Sequence, residues 1–288
     1  MKYLYCFLIG ACVALSACSH KDEPEVPAPA VRVASIVSSD GGVRIYSYNR
    51  DGAVRQADCV AGDMREKAVY DYSEADRIAI DYSMQEQFWP HAQVNFREVL
   101  HLEGGRAVYA EGIFERTSDS GSDDVRKKYK HEFSYDNLGR LVKVRNTEIY
   151  ASDVASRSTA WNRPWVWENT FEWEGANLVA YNDCFGSVEP RYVMKFTYFI
   201  DEARGGSMVG GVLPRPYYMP LRGQGVFGVE SANLVAGVTK IDSEAGVVEA
   251  RRYDYTIEDG YVKAYYETVS DGESVSASVR HDFNWASF

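Results

Sequence analysis

The chain has 288 residues and a formal net charge of −11, with 42 acidic side chains against 31 basic ones. Nucleic-acid affinity depends largely on basic side chains that release counterions from phosphates, so this charge balance argues against a nucleic-acid partner. The length suits one large β domain or two smaller domains.

The N-terminus has the pattern of an export signal. A single Lys2 is followed by an apolar run over residues 3–15, which is too short for a membrane-spanning helix of about 20 residues. The run ends in Leu15-Ser16-Ala17-Cys18, which matches the lipobox of bacterial lipoprotein precursors. The sequence therefore predicts a lipoprotein signal peptide over residues 1–17 and lipidation of Cys18. An ordinary secretory signal is the alternative.

Residues 18–30 are predicted to be a flexible tether behind the acylated cysteine. The segment is polar and acidic and contains three prolines, which prevent a regular helix. Lys21-Asp22-Glu23 resembles the acidic export signal of surface lipoproteins in Bacteroidetes, and Ser19 stands where inner-membrane lipoproteins of enteric bacteria carry aspartate. We expect attachment to the outer membrane through the lipid on Cys18, at the cell surface, with the periplasmic face as the alternative.

Residues 31–288 are predicted to form a single β domain built from repeated hairpins. The recurring pattern is aromatic-x-aromatic, a short polar turn, glycine and a new apolar strand. The clearest copies begin at Tyr46-Ser47-Tyr48, Phe133-Ser134-Tyr135 and Tyr253-Asp254-Tyr255. Glycine supplies the positive φ that hairpin loops need. Alternating aromatics lie on one face of a strand, so each copy predicts a hairpin with one aromatic face.

These hairpins predict an all-β antiparallel meander of about 12–14 strands, since sequential strands usually pair. So long a sheet must curl, close or split to protect its edges. We expect a strongly curved or barrel-like sheet, with a two-sheet sandwich as the alternative. Residues 205–237 are rich in glycine and proline and are predicted to be one long loop with a candidate helical turn over 226–234. Such a loop is typically functional or closes one end of a fold.

Five cysteines reduce to two in the mature chain. Cys6 and Cys12 leave with the signal peptide, and Cys18 is predicted to be acylated. Cys59 and Cys184 could form a disulfide in an oxidising compartment; two buried free thiols are the alternative.

Two resemblances follow from these motifs. The run Tyr135 to Leu141 resembles the Tyr-Asp repeats of Rhs-type shells, although those repeats are more regular. The lipobox, acidic tether and scattered hairpins, with the segment 223–234, more closely resemble a Bacteroidetes lipoprotein family of unknown function with a porin-like fold. The chain departs from that family in its tyrosine-rich segment 214–220. The resemblance implies a barrel-like antiparallel sheet and no particular activity.

Aromatic and basic residues supply the candidate ligand site. Indole rings stack on sugar rings, and Trp165, Trp167, Phe171 and Trp173 share one parity, which places them on one strand face. The candidate ligand-binding residues are Trp161, Arg163, Trp165, Trp167, Tyr217 and Tyr218. The alternative is that these aromatics fill the interior of a curved sheet.

Catalytic and metal-binding patterns are sparse. The histidines of the β domain are isolated, and no His-x-His, His-Glu-x-x-His or Cys-x-x-Cys spacing occurs. We therefore predict no catalytic residues, metal or cofactor, and no enzyme. The leading hypothesis is a non-enzymatic binding or scaffold protein at the outer membrane, with an outer-membrane protein as a candidate partner. The alternative is a surface glycan-binding module of a polysaccharide-uptake system.

Overall fold

A computed structural model describes residues 31–85, 92–118, 124–150, 164–184, 189–199, 209, 213, 215–271 and 274–287. The predicted signal peptide, the tether and the lipidation site Cys18 lie outside the described residues. The first strand begins at Val31.

All strands belong to one closed antiparallel barrel, in which each strand pairs with the next and the last pairs with the first. In chain order the strands β1 to β16 are Val31–Ser38, Val43–Tyr48, Val54–Ala61, Met64–Asp71, Arg77–Gln85, Ala92–Glu103, Arg106–Ser118, Val125–Tyr135, Leu141–Tyr150, Trp165–Glu174, Asn177–Asp183, Tyr192–Tyr198, Val235–Asp242, Gly246–Glu258, Tyr261–Ser270 and Val275–Ser287.

The barrel-like prediction is therefore confirmed, and the sandwich alternative is not the fold. The structure has sixteen strands rather than about 12–14. The sequence undercounts strands because very short turns divide what reads as one alternating segment. For example, β3 and β4 are separated only by Gly62 and Asp63, and Gly62 has a φ of +57°.

The aromatic-x-aromatic repeat has a structural explanation at one end of the barrel. Its first aromatic packs into the interior, and its second donates a hydrogen bond to a carbonyl of the preceding strand. Tyr135 Oη donates to the Ala107 carbonyl at 2.8 Å, and Trp173 Nε1 donates to the Leu141 carbonyl at 2.8 Å. The other four contacts are Tyr48 to Val33, Tyr198 to Leu178, Tyr255 to Val235 and Trp285 to Val262.

Each of these carbonyls lies at a register shift in the sheet. A β-bulge leaves backbone groups without ladder partners, and a buried carbonyl without a partner is costly. The second aromatic side chain donates the missing hydrogen bond to that carbonyl, and its ring packs at the bend in the barrel wall. The repeat therefore marks the positions where the barrel wall bends.

The long Gly/Pro-rich connection between β12 and β13 folds into the barrel. We call its described part, residues 215–234, the plug. A 3-10 turn over Pro216–Tyr218 leads into a single α-helical turn, α1, over Met219–Arg222. The predicted helical turn at 226–234 is wrong, because Gly225 and Gly228 adopt φ values of +74° and +83° that a right-handed helix does not allow.

The plug seals one end of the barrel, here the closed end, where β1 begins and β16 ends. Val226 accepts a backbone hydrogen bond from Ala107 at 2.8 Å, and Val229 donates one to Gly139 at 3.0 Å. The plug residues Tyr218, Leu221, Val226 and Phe227 are buried among the inward-facing residues of the strands. This half of the lumen is a packed apolar core.

The outer face of the wall carries ion pairs between neighbouring strands. Glu115 on β7 contacts Arg97 on β6 at 2.7 Å and Arg126 on β8 at 3.2 Å. Glu132 on β8 contacts Lys130 on its own strand at 3.0 Å and Arg145 on β9 at 3.7 Å. The barrel thus has an apolar interior at its closed end and a charged exterior.

Candidate binding cavity at the open end of the barrel

The second half of the lumen holds a cavity of about 630 Å³. It lies above the plug, near the strand ends opposite the closed end, which we call the open end. Asp183 is the last residue of β11, and Glu148 and Lys240 stand two residues from the ends of β9 and β13. The volume falls within the usual range for small-molecule sites, and the plug makes the cavity blind at its base.

One wall, on β8 to β11, combines amides with aromatic rings. His131 Nδ1 and Asn146 Oδ1 are 2.6 Å apart, and Asn169 Nδ2 donates to the Tyr181 hydroxyl at 2.6 Å. Trp167 lies beside them and also lines the cavity. All of these side chains have inward parity on their strands, as do the apolar residues deeper in the barrel.

His131 is held in its neutral form. The pKa of its imidazole is lowered to about 3, chiefly by burial and also by the positive charge of Arg215, while the contact with Asn146 opposes the shift. Desolvation disfavours the charged form of any histidine, so His131 carries no charge at neutral pH. With Asn146 it forms a neutral polar pair on this wall.

The opposite wall, on β13 to β16, is built from charges. Arg251 contacts Glu249 at 2.7 Å and Glu267 at 2.9 Å. Burial raises the pKa of Glu267, but the hydrogen bond from His281 and the charge of Arg251 hold it below the ordinary value. The His281 ring stacks on Tyr265 with centroids 4.4 Å apart, which fixes its orientation.

The floor of the cavity belongs to the plug. Arg215 places its guanidinium 4.8 Å from the ring centroid of Phe96 and 4.7 Å from that of Tyr129. Its closest carboxylate is that of Glu148 at 3.8 Å, which also contacts Lys127 at 3.1 Å. Stacking on two aromatic faces stabilises a guanidinium that is largely withdrawn from water.

A buried carboxylate, Glu98, lies below this floor. Its Oε2 accepts a hydrogen bond from the Tyr217 hydroxyl at 3.3 Å, and Tyr217 Oη is 3.3 Å from Tyr129 Oη. Burial raises the pKa of Glu98, while hydrogen bonding from Tyr218 and Tyr129 and the charge of Arg215 oppose the rise. The plug is thus tied to the wall by a tyrosine–glutamate cluster as well as by apolar packing.

The structure separates the ligand-binding residues proposed from the sequence into three groups. Trp165 and Trp167 lie together at the open end, with ring centroids 6.0 Å apart; Trp165 is 40 % exposed, whereas Trp167 is buried against the cavity. Tyr217 and Tyr218 are buried in the plug, where Tyr218 is fully enclosed. Trp161 and Arg163 lie outside the described residues. Cys59 and Cys184 are both free thiols.

Sequence reasoning missed the charged residues that line the cavity. Lys240 and Arg251 line the cavity and share the parity of buried apolar neighbours on the same strand, as do the neutral His131 and, below the floor, Glu98. For example, His131 stands between Tyr129 and Phe133 in an alternating segment. A charged or polar residue at inward parity near the same end of several strands is the signal that points to a lumenal site.

Within the described ranges, no group of three or more histidine, cysteine, aspartate or glutamate side chains is arranged to hold a metal ion. Of the helices in the same ranges, none is long and apolar enough to cross a membrane.

Two solved structures resemble this chain. A porin-like protein from Bacteroides uniformis ATCC 8492 superposes with a TM-score of 0.55 at 14 % identity, covering 88 % of this chain and 98 % of that one. A porin-like protein from Bacteroides vulgatus ATCC 8482 gives a TM-score of 0.41 at 12 % identity, covering 88 % and 97 %. No family model and no curated protein matches the chain. The porin-like barrel that the sequence resemblance implied is thus confirmed at the level of the fold.

Proposed function

We propose that this chain is a lipid-anchored protein of the outer membrane that binds a small polar ligand in its open-ended cavity without transforming it. The observation that carries the proposal is the division of the lumen. The plug closes one end with packed apolar side chains, and the other end holds a blind cavity lined by amides, charges and an indole. Small-molecule sites are concave and pair apolar surface with a few convergent polar groups.

The barrel wall supports attachment through lipid rather than through the barrel itself. Outer-membrane barrels present an apolar band to the acyl chains, and charges on that face are destabilising near the membrane midplane. Here Glu115 and Glu132 each join two cations on the outward face. An outward face that carries these charges is suited to contact with water rather than with acyl chains. Cys18 is the residue that would hold the protein to the membrane.

The proposed orientation follows from chain direction. The tether of residues 18–30 enters β1 at the closed end, so the cavity opens at the end away from the anchor. A ligand would then reach the cavity from the aqueous side without crossing the plug. This arrangement suits capture and presentation of a ligand more than passage through the barrel.

Attachment can be tested by phase partitioning. The chain from residue 19 onward would be exported behind an ordinary secretory signal and compared with the native protein. We expect the native protein in the detergent phase of a cloud-point extraction and the version lacking Cys18 in the aqueous phase. Retention of that version in the detergent phase would show that the wall itself binds lipid and would overturn this part of the proposal.

A glycan is the ligand class that the cavity favours. Aromatic faces stack on sugar rings, and Asn169 and Glu148 near Trp167 offer the amide and carboxylate groups that hydrogen-bond hydroxyls. A glycan array probed with the purified protein tests this. We expect dose-dependent binding that Trp167→Ala abolishes and that Tyr266→Ala, an exposed aromatic on the outer face, leaves unchanged. A blank array would favour the scaffold hypothesis instead.

A further inference from the structure

Among the described residues, two cations that line the cavity have no carboxylate in direct contact, although Glu249 lies opposite Lys240 in the sheet and the charge of Arg44 opposes the rise in the pKa of Glu66. In the described part of the chain, no carboxylate lies within 4.0 Å of Lys240 or Arg44, whereas Arg251 and Arg215 both have acidic partners. Lys240 Nζ lies 4.1 Å from the ring centroid of Tyr192. Arg44 lies beside the Cys59 thiol and Tyr46.

Such cations are costly where water is partly excluded. Lys240 is half-buried, and a charge that is partly withdrawn from water is stabilised by a partner of opposite sign. Glu249 lies opposite Lys240 in the sheet but contacts Arg251 instead, so Lys240 is left without a carboxylate in direct contact. An anionic group on a ligand would complete the pairing.

The remaining lining restricts what that ligand can be. Glu148, Asp183, Glu249 and Glu267 also face the cavity, so its lining carries both signs of charge and is not the uniformly basic site that a compact, multiply charged ligand such as a polyphosphate requires. The same carboxylates accept hydrogen bonds from hydroxyl groups, as do the amides of Asn146 and Asn169. A neutral polyol would use these acceptors but would leave the two cations unpaired.

We infer that the cavity takes a short acidic oligosaccharide, a sugar chain that carries carboxylates, with those carboxylates paired to Lys240 and Arg44. The hydroxyl groups bind the acidic and amide side chains, and one ring packs on Trp167. The inference rests on the proposed function, because it names the ligand class of the same cavity. It adds the requirement for negative charge on the sugar.

Calorimetric titration of the purified full-length protein tests the charge requirement. The probes are short uronic-acid oligosaccharides and the same sugars after chemical reduction of their carboxyl groups to alcohols. Hydrogen bonds to charged groups contribute about 1.5–3 kcal/mol, so we expect the acids to bind at least about tenfold more tightly than the reduced sugars. The preference should shrink as salt is raised, because exposed charge pairs are screened.

Two variants test whether Lys240 and Arg44 cause the preference for acidic sugars. Lys240→Met and Arg44→Gln should each weaken binding of the acids about tenfold and leave binding of the reduced sugars unchanged. The matched controls are Lys195→Met on the neighbouring strand and Arg252→Gln beside Arg251, both exposed and facing outward. Thermal unfolding checks that Arg44→Gln is folded, and Lys240→Met carries the test independently of it.

The outcomes separate the two proposals. Equal binding of acids and reduced sugars would overturn the charge requirement and leave a glycan-binding cavity in place. Tighter binding of an acidic peptide or of inorganic phosphate than of any sugar would overturn the sugar class. Absence of binding to every carbohydrate in the panel would overturn both this inference and the glycan function.

Discussion

The two halves of the barrel lumen are built on the same strands but are filled in different ways. At the closed end, inward positions are aromatic or aliphatic and pack against the plug. At the open end, the same strands place amides, carboxylates and cations inward. A sixteen-stranded barrel is too wide for its own inward side chains to fill, so an inserted segment makes one half solid. The half without such a segment remains a cavity.

The difference shows how a wide barrel can combine a packed core with a cavity. The closed half supplies apolar burial, which is the dominant favourable contribution to folding. The open half contributes less to stability and is available for binding. Changes in the closed half should therefore affect unfolding, and changes in the open half should affect ligands.

The largest expected effect is on the plug. Tyr218 is fully buried, and its ring packs 4.8 Å from Phe227. Tyr218→Ala should lower the free energy of unfolding by about 3–5 kcal/mol, as truncation of a buried aromatic usually does. Trp165→Ala, at the exposed rim of the open end, should cost less than about 1 kcal/mol. Urea denaturation followed by circular dichroism measures both, and equal losses would contradict the division into two halves.

A good part of this comparison could be predicted from the sequence. Alternation and the hairpin repeats indicate a curled antiparallel sheet, and the Gly/Pro-rich segment indicates a loop that could close one end. The repeats also place aromatics such as Tyr135 and Trp173 on one face. These features are local, because turn chemistry and side-chain parity act over a few residues.

The cavity could not be predicted in the same way. Its residues come from β2, β8 to β16 and the connection that holds the plug, and their proximity depends on closure of the barrel. Strand parity marks Lys240 or His131 as inward only once the inward face is known. Whether Tyr217 lies in an exposed loop or against Glu98 depends on where the plug folds. A segment with few periodic residues does not predict that position.

Substitution of one glycine at each end of the barrel compares the closed end with the open end directly. Gly228 in the plug has a φ of +83°, and an added Cβ would lie 2.2 Å from the Gly139 carbonyl oxygen; Gly246 at the open end has a φ of +78° with no atom within 4 Å of that position. Gly246→Ala should cost about 1 kcal/mol, for the backbone conformation alone. Gly228→Ala should cost about 1–3 kcal/mol more, because the plug must shift. Thermal unfolding of both variants measures the difference. Similar melting temperatures would show that the plug is not tightly packed against Gly139 at this position.

The last expected effect is a dependence of stability on pH that comes from His131. Its folded pKa of about 3 lies below the unfolded value of about 6.5, so between these values the unfolded state binds a proton that the folded state excludes. The stabilisation from neutral His131 is complete above about pH 6.5 and is lost as pH falls toward 3, by at most about 1.4 kcal/mol per pH unit. His131→Gln should remove this slope from the curve of unfolding free energy against pH. The matched control is His101→Gln, since His101 lies on the outer face beside Glu111. If His131→Gln and the native protein lost stability in parallel on acidification, the open-end wall would be wet enough to protonate His131, and the boundary between the two halves would lie deeper in the barrel.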